Sequence, residues 1–589
     1  MSFKGISGCN SRVSKEDQEF YDLKHRAAEY YRANSVPQKI EGVLNQMFLE
    51  KPGDIYGYLA NYFSQHSAKP VICRLEGKKL YDGNGHLSAQ ANVFCIIRND
   101  EKWVCGATVP SYSERASGGS DPCEAVGESH AQRHALETAL SWINQPISNM
   151  LQGLEPSDQA TIDKMLSDFI LDRFLESEEE KRKENEKKKE KKEEESLDNS
   201  PPEPLPPPPP PSQSKDKKGK KSIFCVEKQL PPEEPPVPVL PGCSALGAIS
   251  LAVAKTAAVL QGLPLYQHIR ALRTDQAVGD VHIPFPMVTV LSCGKTSPGK
   301  LNLLEEVIVI PAGAQRLTQK IALVLDLQKE VERILNVFSK TGPMVFPMTD
   351  AGALLVGFDR AEQPLDVLME ACSNLRLTPG KDLHFALHCS AHRLVDYSKG
   401  KYEVIVGTLK SPDELVEMYE SLLSRYPAVC ALIDPFRKED TEQWDKLSCA
   451  LTGQTCCLIA DAGFGFCPRR YDNETLLPPG VTGVILKHVN ETTISDLLHV
   501  TLEGKGASTI LEQSGSEACD DYLADLAVGL GVKLVKLGSV RGGVRVARYN
   551  RMMELEEELA RQGILGSNQL ELPLFAARDS LATDSTETE

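Results

Sequence analysis

Apolar and polar positions change period several times along the chain, and each change marks a different kind of segment. Over Gln18–Ala33, Phe20, Tyr21, Leu23, Ala27, Ala28 and Tyr31 recur at helical spacing. Val36-Pro37 opens a second helix carrying Ile40, Val43, Leu44, Met47, Phe48 and Leu49 on or near one face, and Lys51-Pro52-Gly53-Asp54 stops it. A third helix follows with Ile55, Tyr58, Leu59, Tyr62 and Phe63. Short helices about a Pro-Gly-Asp turn bury too little apolar area to stand alone, so residues 1–68 are expected to pair with a second copy or a partner.

From Cys73 to Pro110 the period shortens. Leu80-Tyr81-Asp82 precedes a Gly83-Asn84-Gly85 turn, then Ala89–Arg98 and Trp103–Val109 alternate, which predicts an antiparallel meander. Helices are predicted over about Cys123–Ile147 and Asp158–Leu175, so residues 70–177 read as a small α+β domain. The pattern then fails. Glu178–Glu195 is almost pure Glu and Lys, Pro201–Pro211 is nearly all proline, and Pro231–Pro241 is proline-rich again. A charged run of this kind forms at most a solvated helix and a proline run forms polyproline II; neither can pack a core. Residues 178–241 are therefore expected to be an exposed insert, either a spacer or a ligand for a proline-binding module.

Ser244–Gln261 is small and apolar nearly all round, which is the pattern of a buried helix, and Gly262 can cap it. With residues 242–280 it is expected to complete the α+β domain. Short β-branched runs then recur, with amphipathic helices between some of them: Val307–Pro311, Leu383–Cys389, Val429–Ile433, Cys456–Ala460, Gly483–Leu486, Thr509–Leu511 and Leu534–Val535. Alternating strand and helix means a parallel sheet, and this many repeats favour a closed α/β barrel over 281–578, with 579–589 as a flexible tail.

Composition narrows the function. The chain has 589 residues, 65 Lys and Arg against 82 Asp and Glu, a net charge of 65 − 82 = −17. That length suggests about three or four structural units, and the acidic balance excludes a general nucleic-acid binder. The 16 cysteines include no C-x-x-C pair and are expected to be reduced, buried, cytosolic thiols. Met1-Ser-Phe-Lys-Gly has no apolar signal region, and Leu246–Leu260, broken by Lys255, is too short and polar to span a bilayer. A soluble intracellular protein is expected.

Barrel chemistry sits where strands end. The polar residues closing successive strands are His388, Asp434, Asp461, Lys487, Glu512 and Lys536, and they would converge on one mouth. Two lysines among carboxylates suit removal of a weakly acidic proton beside a carboxylate, a reaction that also wants divalent cations to hold the dianionic product. The same lysines could form a Schiff base or clamp a phosphate.

The N-terminal pattern, from Val36-Pro37 through Pro52-x-Asp54 to Tyr58-Leu59-x-x-Tyr62-Phe63, resembles the dimerisation–docking helices of kinase regulatory subunits. That resemblance implies a four-helix pairing whose groove takes an amphipathic anchoring helix at residues 36–63; the alternative is a plain packing hairpin. The rest of the chain resembles the enolases. The motifs are Gly242-x-x-Ala245-x-Gly247-x-x-Ser250-Leu-Ala-Val-x-Lys255, Gly262-x-Pro264-Leu-Tyr266-x-His268-Ile269, Pro284-x-Pro286, Glu306-x-Ile308-x-Ile310-Pro311-x-Gly313-Ala314, Asp434-Pro435-Phe436, Leu486-Lys487, Ser514-Gly515 and Arg545-x-x-Arg548-Tyr549-Asn550. The resemblance implies an α+β capping domain and an eight-fold α/β (TIM-like) barrel with irregular first strands, here preceded by a helical hairpin and interrupted by a disordered insert. The hairpin and insert make the chain similar to the divergent sperm-type branch of the family, which implies a flagellar setting.

The family reaction is the reversible dehydration of 2-phospho-D-glycerate to phosphoenolpyruvate with Mg²⁺, usually in a dimer. The resemblance puts Lys487 on the general base, Lys536 and Ser514 on substrate contacts, Glu306 on a catalytic glutamate, Asp350 on the proton donor one methylene shorter, and Asp461 on a magnesium ligand. The other two carboxylate ligands fall on His388 and Ile433, which are poor substitutes for hard oxygen donors. Asp434 could help only if its strand end is distorted, since neighbouring strand residues face opposite sides. Ser117, in a lengthened lid over Ser111–Ser120, is the candidate lid ligand. A catalytic histidine and a phosphate-binding arginine fall on Glu512 and Gln513, and a second histidine on Ser297. Two functions remain: a slow enolase-type lyase, as a homodimer or a heterodimer with an intact enolase, or a non-catalytic docking component held through its N-terminal helices.

Overall fold

The computed structural model describes residues 15–109, 122–197, 240–273, 280–313, 315–338, 345–461, 477–489, 491–503, 507–513, 519–567, 570, 572 and 574. Ser117, Ser514, residues 198–239 and the tail 579–589 lie outside the described residues. The chain divides into two compact units, Met1–Pro70 with Ile96–Asp100, and Val71–Cys95 with Glu101–Glu589.

The first unit holds α1 (Lys15–Ala33), α2 (Val36–Glu50) and α3 (Ile55–Gln65). Proline in the first turn of α2 suits a position whose N–H has no helical partner. Asp54 caps α3, its Oδ1 accepting from the Gly57 N–H at 2.9 Å. Val43 is buried, but Ile40, Leu44 and Phe48, one turn apart on α2, are 44%, 48% and 72% exposed.

The second unit opens with the expected meander, β1 (Val71–Tyr81), β2 (Leu87–Ile97) and β3 (Asp100–Thr108), in the order β1-β2-β3. Helix α4 (Pro122–Trp142) passes through a wide turn at Ile143–Ile147 into α5 (Ser148–Leu151). Helix α6 runs from Gln159 to Leu197, so the charged run continues the predicted Asp158–Leu175 helix as the solvated helix its composition allows. Glu and Lys are strong helix formers, and the pairs Glu178–Lys181, Glu179–Lys183 and Arg182–Glu186 fall one turn apart.

Helix α7 (Ser244–Gln261) buries 13 of its 18 residues and ends at Gly262, whose φ of 67° a side chain would resist. The stretch Leu246–Leu260 lies inside this 18-residue helix, which by length and composition could cross a membrane. Its burial among the protein's own helices accounts for its apolarity instead. Ser250 at its centre ties three elements: its carbonyl oxygen accepts from Gln159 Nε2 at 3.1 Å and its hydroxyl from the Ile494 N–H at 2.9 Å. A short helix, α8 (Leu265–Ala271), follows.

The barrel strands are β4 (Phe285–Ser292), β5 (Glu306–Pro311), β7 (Leu383–His388), β11 (Val429–Ile433), β12 (Cys457–Ala460), β13 (Val481–Lys487), β14 (Ser508–Glu512) and β15 (Leu534–Lys536). They pair in that order and β15 pairs back on β4, closing eight strands; β6 (Leu354–Leu355) adds to the outside of β4. A small sheet of β8 (Val395–Asp396), β9 (Lys401–Ile405) and β10 (Thr408–Lys410) sits between β7 and the next helix. The outer helices are α9 (Leu317–Phe338), α10 (Glu362–Asn374), α11 (Pro412–Arg425), α12 (Thr441–Ala450), α13 (Ile494–Glu503), α14 (Tyr522–Leu530) and α15 (Gly543–Gln562). Met287, Ile308, Ile310, Ile433, Ile459, Ile485, Ile510 and Leu534 form one buried cluster with Leu574, and Leu570 and Leu572 pack against it.

Two features depart from a simple strand–helix repeat. The strand rhythm begins at Phe285 rather than at Val307, because β4 precedes β5. Strand β5 runs antiparallel to both β4 and β7. Residues 293–305 contain no helix, and a parallel return needs a crossover, usually helical, of a dozen or more residues.

Candidate active site

Strand register builds the site. Lys487 on β13 is paired with Glu512 on β14, and Glu512 with Lys536 on β15. On the other side of the barrel Glu306 is paired with His388, and His388 with Ile433. Because β5 runs antiparallel, its first residue, Glu306, lies at the rim where the other strands end. Reading only the residues that close strands therefore misses it; the family motif found it.

Side chains close this rim into a network. Lys536 Nζ lies 2.8 Å from Glu306 Oε2 and also bonds Glu512 Oε1. Lys487 Nζ lies 3.2 Å from Glu512 Oε2, and 3.1 and 3.3 Å from the two oxygens of Asp461. His388 bridges the remaining gap, with Nδ1 3.6 Å from Glu306 Oε2 and Nε2 3.6 Å from Asp461 Oδ2, at ion-pair but not hydrogen-bond range. Its Nε2 is also 3.2 Å from the Ser390 hydroxyl. Lys536, Asp461, Glu512 and His388 are all buried.

Burial and paired charge compete throughout this network. Burial would raise the Glu306 pKa, yet Lys536 and His388 hold it well below the usual carboxylate range. Burial would lower the Lys536 pKa, yet Glu306, Glu512 and Asp461 raise it. Burial and the Lys536 charge oppose protonation of His388, but Glu306 and Asp461 outweigh them and its pKa rises. Asp461 is lowered despite burial, by Lys487 and then His388.

The remaining positions divide. Asp434 has φ 47°, so its strand end is indeed distorted. Its carboxylate is nonetheless engaged: Oδ1 accepts from the Asp461 N–H at 2.7 Å and Oδ2 faces His392 Nδ1 at 3.9 Å. Burial, then the Arg393 and His388 charges, lower the His392 pKa to about 4. Ile433 is buried within the barrel cluster and offers no donor atom. Asp350 is exposed, and its loop rests on the chain just beyond β15: the Ser539 N–H donates to the Ala351 carbonyl at 2.9 Å and Arg545 Nη1 to the Asp350 carbonyl at 2.5 Å. Arg548, buried, holds the Gln513 side chain. Ser297 is buried. Sequence reasoning did not single out His392, Ser390 or Arg548 as supports, since each acts through a neighbour that only the fold supplies.

These residues do not fit Mg²⁺. The ion wants several oxygen donors. Asp461 is shared between Lys487 and His388, Glu306 and Glu512 face ammonium groups, and Ile433 has no ligand atom. Among the described residues no group of three or more His, Cys, Asp or Glu is arranged to hold a metal ion. The double change His388→Asp with Ile433→Glu should tighten Mg²⁺ binding by more than the roughly 10- to 100-fold typical of second-shell changes. Isothermal calorimetry checks it, and tight binding by the unaltered chain would contradict the misfit.

Residues 280–572 match the family model described as enolase, C-terminal TIM barrel domain. The chain is 50% identical over 583 residues to enolase 4 of Danio rerio, covering 98% of each. It is 41% identical to enolase 4 of Homo sapiens, over 93% of this chain and 90% of that one. An enolase of Thermococcus kodakarensis is 30% identical over 54% of this chain and 71% of its own length.

Proposed function

The chain belongs to the enolase family, and from that premise we propose that it is an enolase-type lyase interconverting 2-phospho-D-glycerate and phosphoenolpyruvate, with a weakened metal site and low turnover. The observation that carries this reading is the convergence of Lys487, Lys536, Glu306 and Asp461 on one barrel rim, linked by contacts of 2.8–3.3 Å. Lys487 is the proton acceptor: as the substrate displaces its two carboxylate partners it gives up one ammonium proton to solvent, and the neutral amine then removes the proton beside the substrate carboxylate. Lys536 receives the substrate's anionic end, with Glu306 fixing its position. Asp350, exposed beside the end of β15, gives its proton to the departing hydroxyl, and Ser514 adds a substrate contact. No step is assigned to a metal. In the family Mg²⁺ holds the dianion, and its poor fit here is the reason for expecting slow turnover.

One observation favours a second reading, a non-catalytic enolase-fold component. The buried rim acids Glu306, Asp461 and Glu512 each already face a lysine, and such networks persist without turnover. A coupled assay of the purified chain alone, with Mg²⁺ titrated, separates the two: a rate that rises with the enzyme and with Mg²⁺ supports the lyase, and none at any Mg²⁺ concentration supports the component. For either, a homodimer or a heterodimer with another enolase is proposed, in a cytoplasmic, flagellar setting implied by the resemblance to the sperm-type branch.

The N-terminal unit is proposed to dock. The exposed stripe Ile40, Leu44 and Phe48 on α2 is apolar area that its own helices leave uncovered. Self-pairing would cover part of it and form a groove for an amphipathic anchoring helix. Leu44→Asp should abolish the pairing, because a charge in that seam has no partner and costs several kcal/mol. Sedimentation of residues 1–68 with and without the change checks this; monomers in both cases leave a plain packing hairpin.

A further inference from the structure

Resting on the lyase reading above, we propose that Glu512 is a built-in competitor for the substrate's anionic group and so sets how weakly this mouth takes phosphorylated acids. The argument is geometric. Glu512 stands midway between the rim's two ammonium groups in the strand register, Lys487 on one side and Lys536 on the other. One carboxylate oxygen bonds Lys536 and the other lies 3.2 Å from Lys487. That is where a substrate anion would be received, and a carboxylate of the chain already occupies it.

The position is held. The Gln513 N–H donates to the Lys536 carbonyl at 3.0 Å, and the Gln513 side chain is bonded by the buried Arg548, whose Nε also donates to the Asp520 carbonyl at 3.1 Å. Glu512 therefore cannot swing aside by fraying the end of β14, and its side chain is buried among the groups it neutralises.

Charge completes the case. The rim carries three carboxylates, Glu306, Asp461 and Glu512, and two ammonium groups, Lys487 and Lys536, so it sums to 2 − 3 = −1 with His388 neutral and to zero with His388 protonated. A phosphate or carboxylate approaching this rim therefore meets no net positive charge and two already-paired lysines. Removing the Glu512 charge makes the rim one unit more positive and frees one face of each lysine, while Glu306 still holds Lys536 and Asp461 still holds Lys487. The exclusion is thus assigned to one residue, not to the fold.

The test is binding, read without turnover. Calorimetric titration of the full chain with 2-phospho-D-glycerate, and separately with inorganic phosphate, compares the parent with Glu512→Gln. The variant should bind the phospho-acid roughly 10- to 100-fold more tightly, since like-charge juxtaposition is a large penalty. Glu512→Asp keeps the charge and the fold but is too short to span both lysines, so it should fall between the two. Equal affinity in all three proteins overturns the proposal, as does tight binding by the parent. Tighter binding in Glu512→Gln without any turnover upholds it and counts against the lyase reading instead.

Discussion

A Lys487→Ala chain will lose about 100- to 10,000-fold of whatever hydro-lyase rate the parent has, the usual cost of removing a general base. The expectation rests on placement. Lys487 closes β13 with its ammonium between Asp461 and Glu512, and the other rim amine, Lys536, is buried between Glu306 and Glu512. Lys536 cannot take over the proton without breaking both contacts and moving across the barrel mouth. The loss should appear in kcat, with a smaller change in KM, because a base acts in the transition state more than in binding. The measurement is a coupled assay on matched preparations. An undiminished rate would mean that the assay reads a contaminating enolase or that another group takes the proton.

Replacing Lys536 by methionine should destabilise the second unit by about 3–5 kcal/mol, the range seen when one partner of a buried ion pair is removed. Methionine keeps most of the side-chain volume, so packing loss is a minor term. What remains is Glu306 and Glu512 without their shared buried cation, with only His388 at 3.6 Å and Lys487 at 3.2 Å to compensate. Denaturant or thermal unfolding at neutral pH checks it. The pH dependence has a definite sign. Glu306 is held below its ordinary pKa by Lys536 against the opposing effect of burial, so its contribution is present above the unfolded glutamate pKa of about 4.3 and fades as pH falls below it. The gap between parent and variant should therefore be widest near neutrality and narrow below about pH 4. A constant gap would place the loss in packing rather than charge.

Much of this architecture was legible in the chain. Strands β7, β11, β12, β13, β14 and β15 fall within two residues of the apolar runs that predicted them, because a strand buried on both faces must be continuously apolar over its length. Helix α7 was legible for the same reason. The Pro52-Gly53-Asp54 stop and the N-cap of α3 follow from local turn chemistry, which needs no tertiary partner. That α6 runs on unbroken from the packed stretch into the charged run was not legible, because a Glu/Lys tract without an apolar face gives no packing signal, although its i,i+4 pairs sustain a helix in solvent.

The strand-end residues named the site, since in a barrel every parallel strand delivers its last residue to the same rim. The sequence therefore set which groups meet there: two lysines, their carboxylates, a histidine and an isoleucine. The tertiary structure decided the rest. It turned β5 around so that its first residue joined the ring, and it put Asp434 in a left-handed conformation with its carboxylate on the Asp461 N–H. It also laid Glu512 across both lysines. Strand direction, backbone twist and side-chain pairing depend on neighbours tens to hundreds of residues away. Periodicity reports the face a residue occupies, but which charge it faces is determined only when the barrel closes.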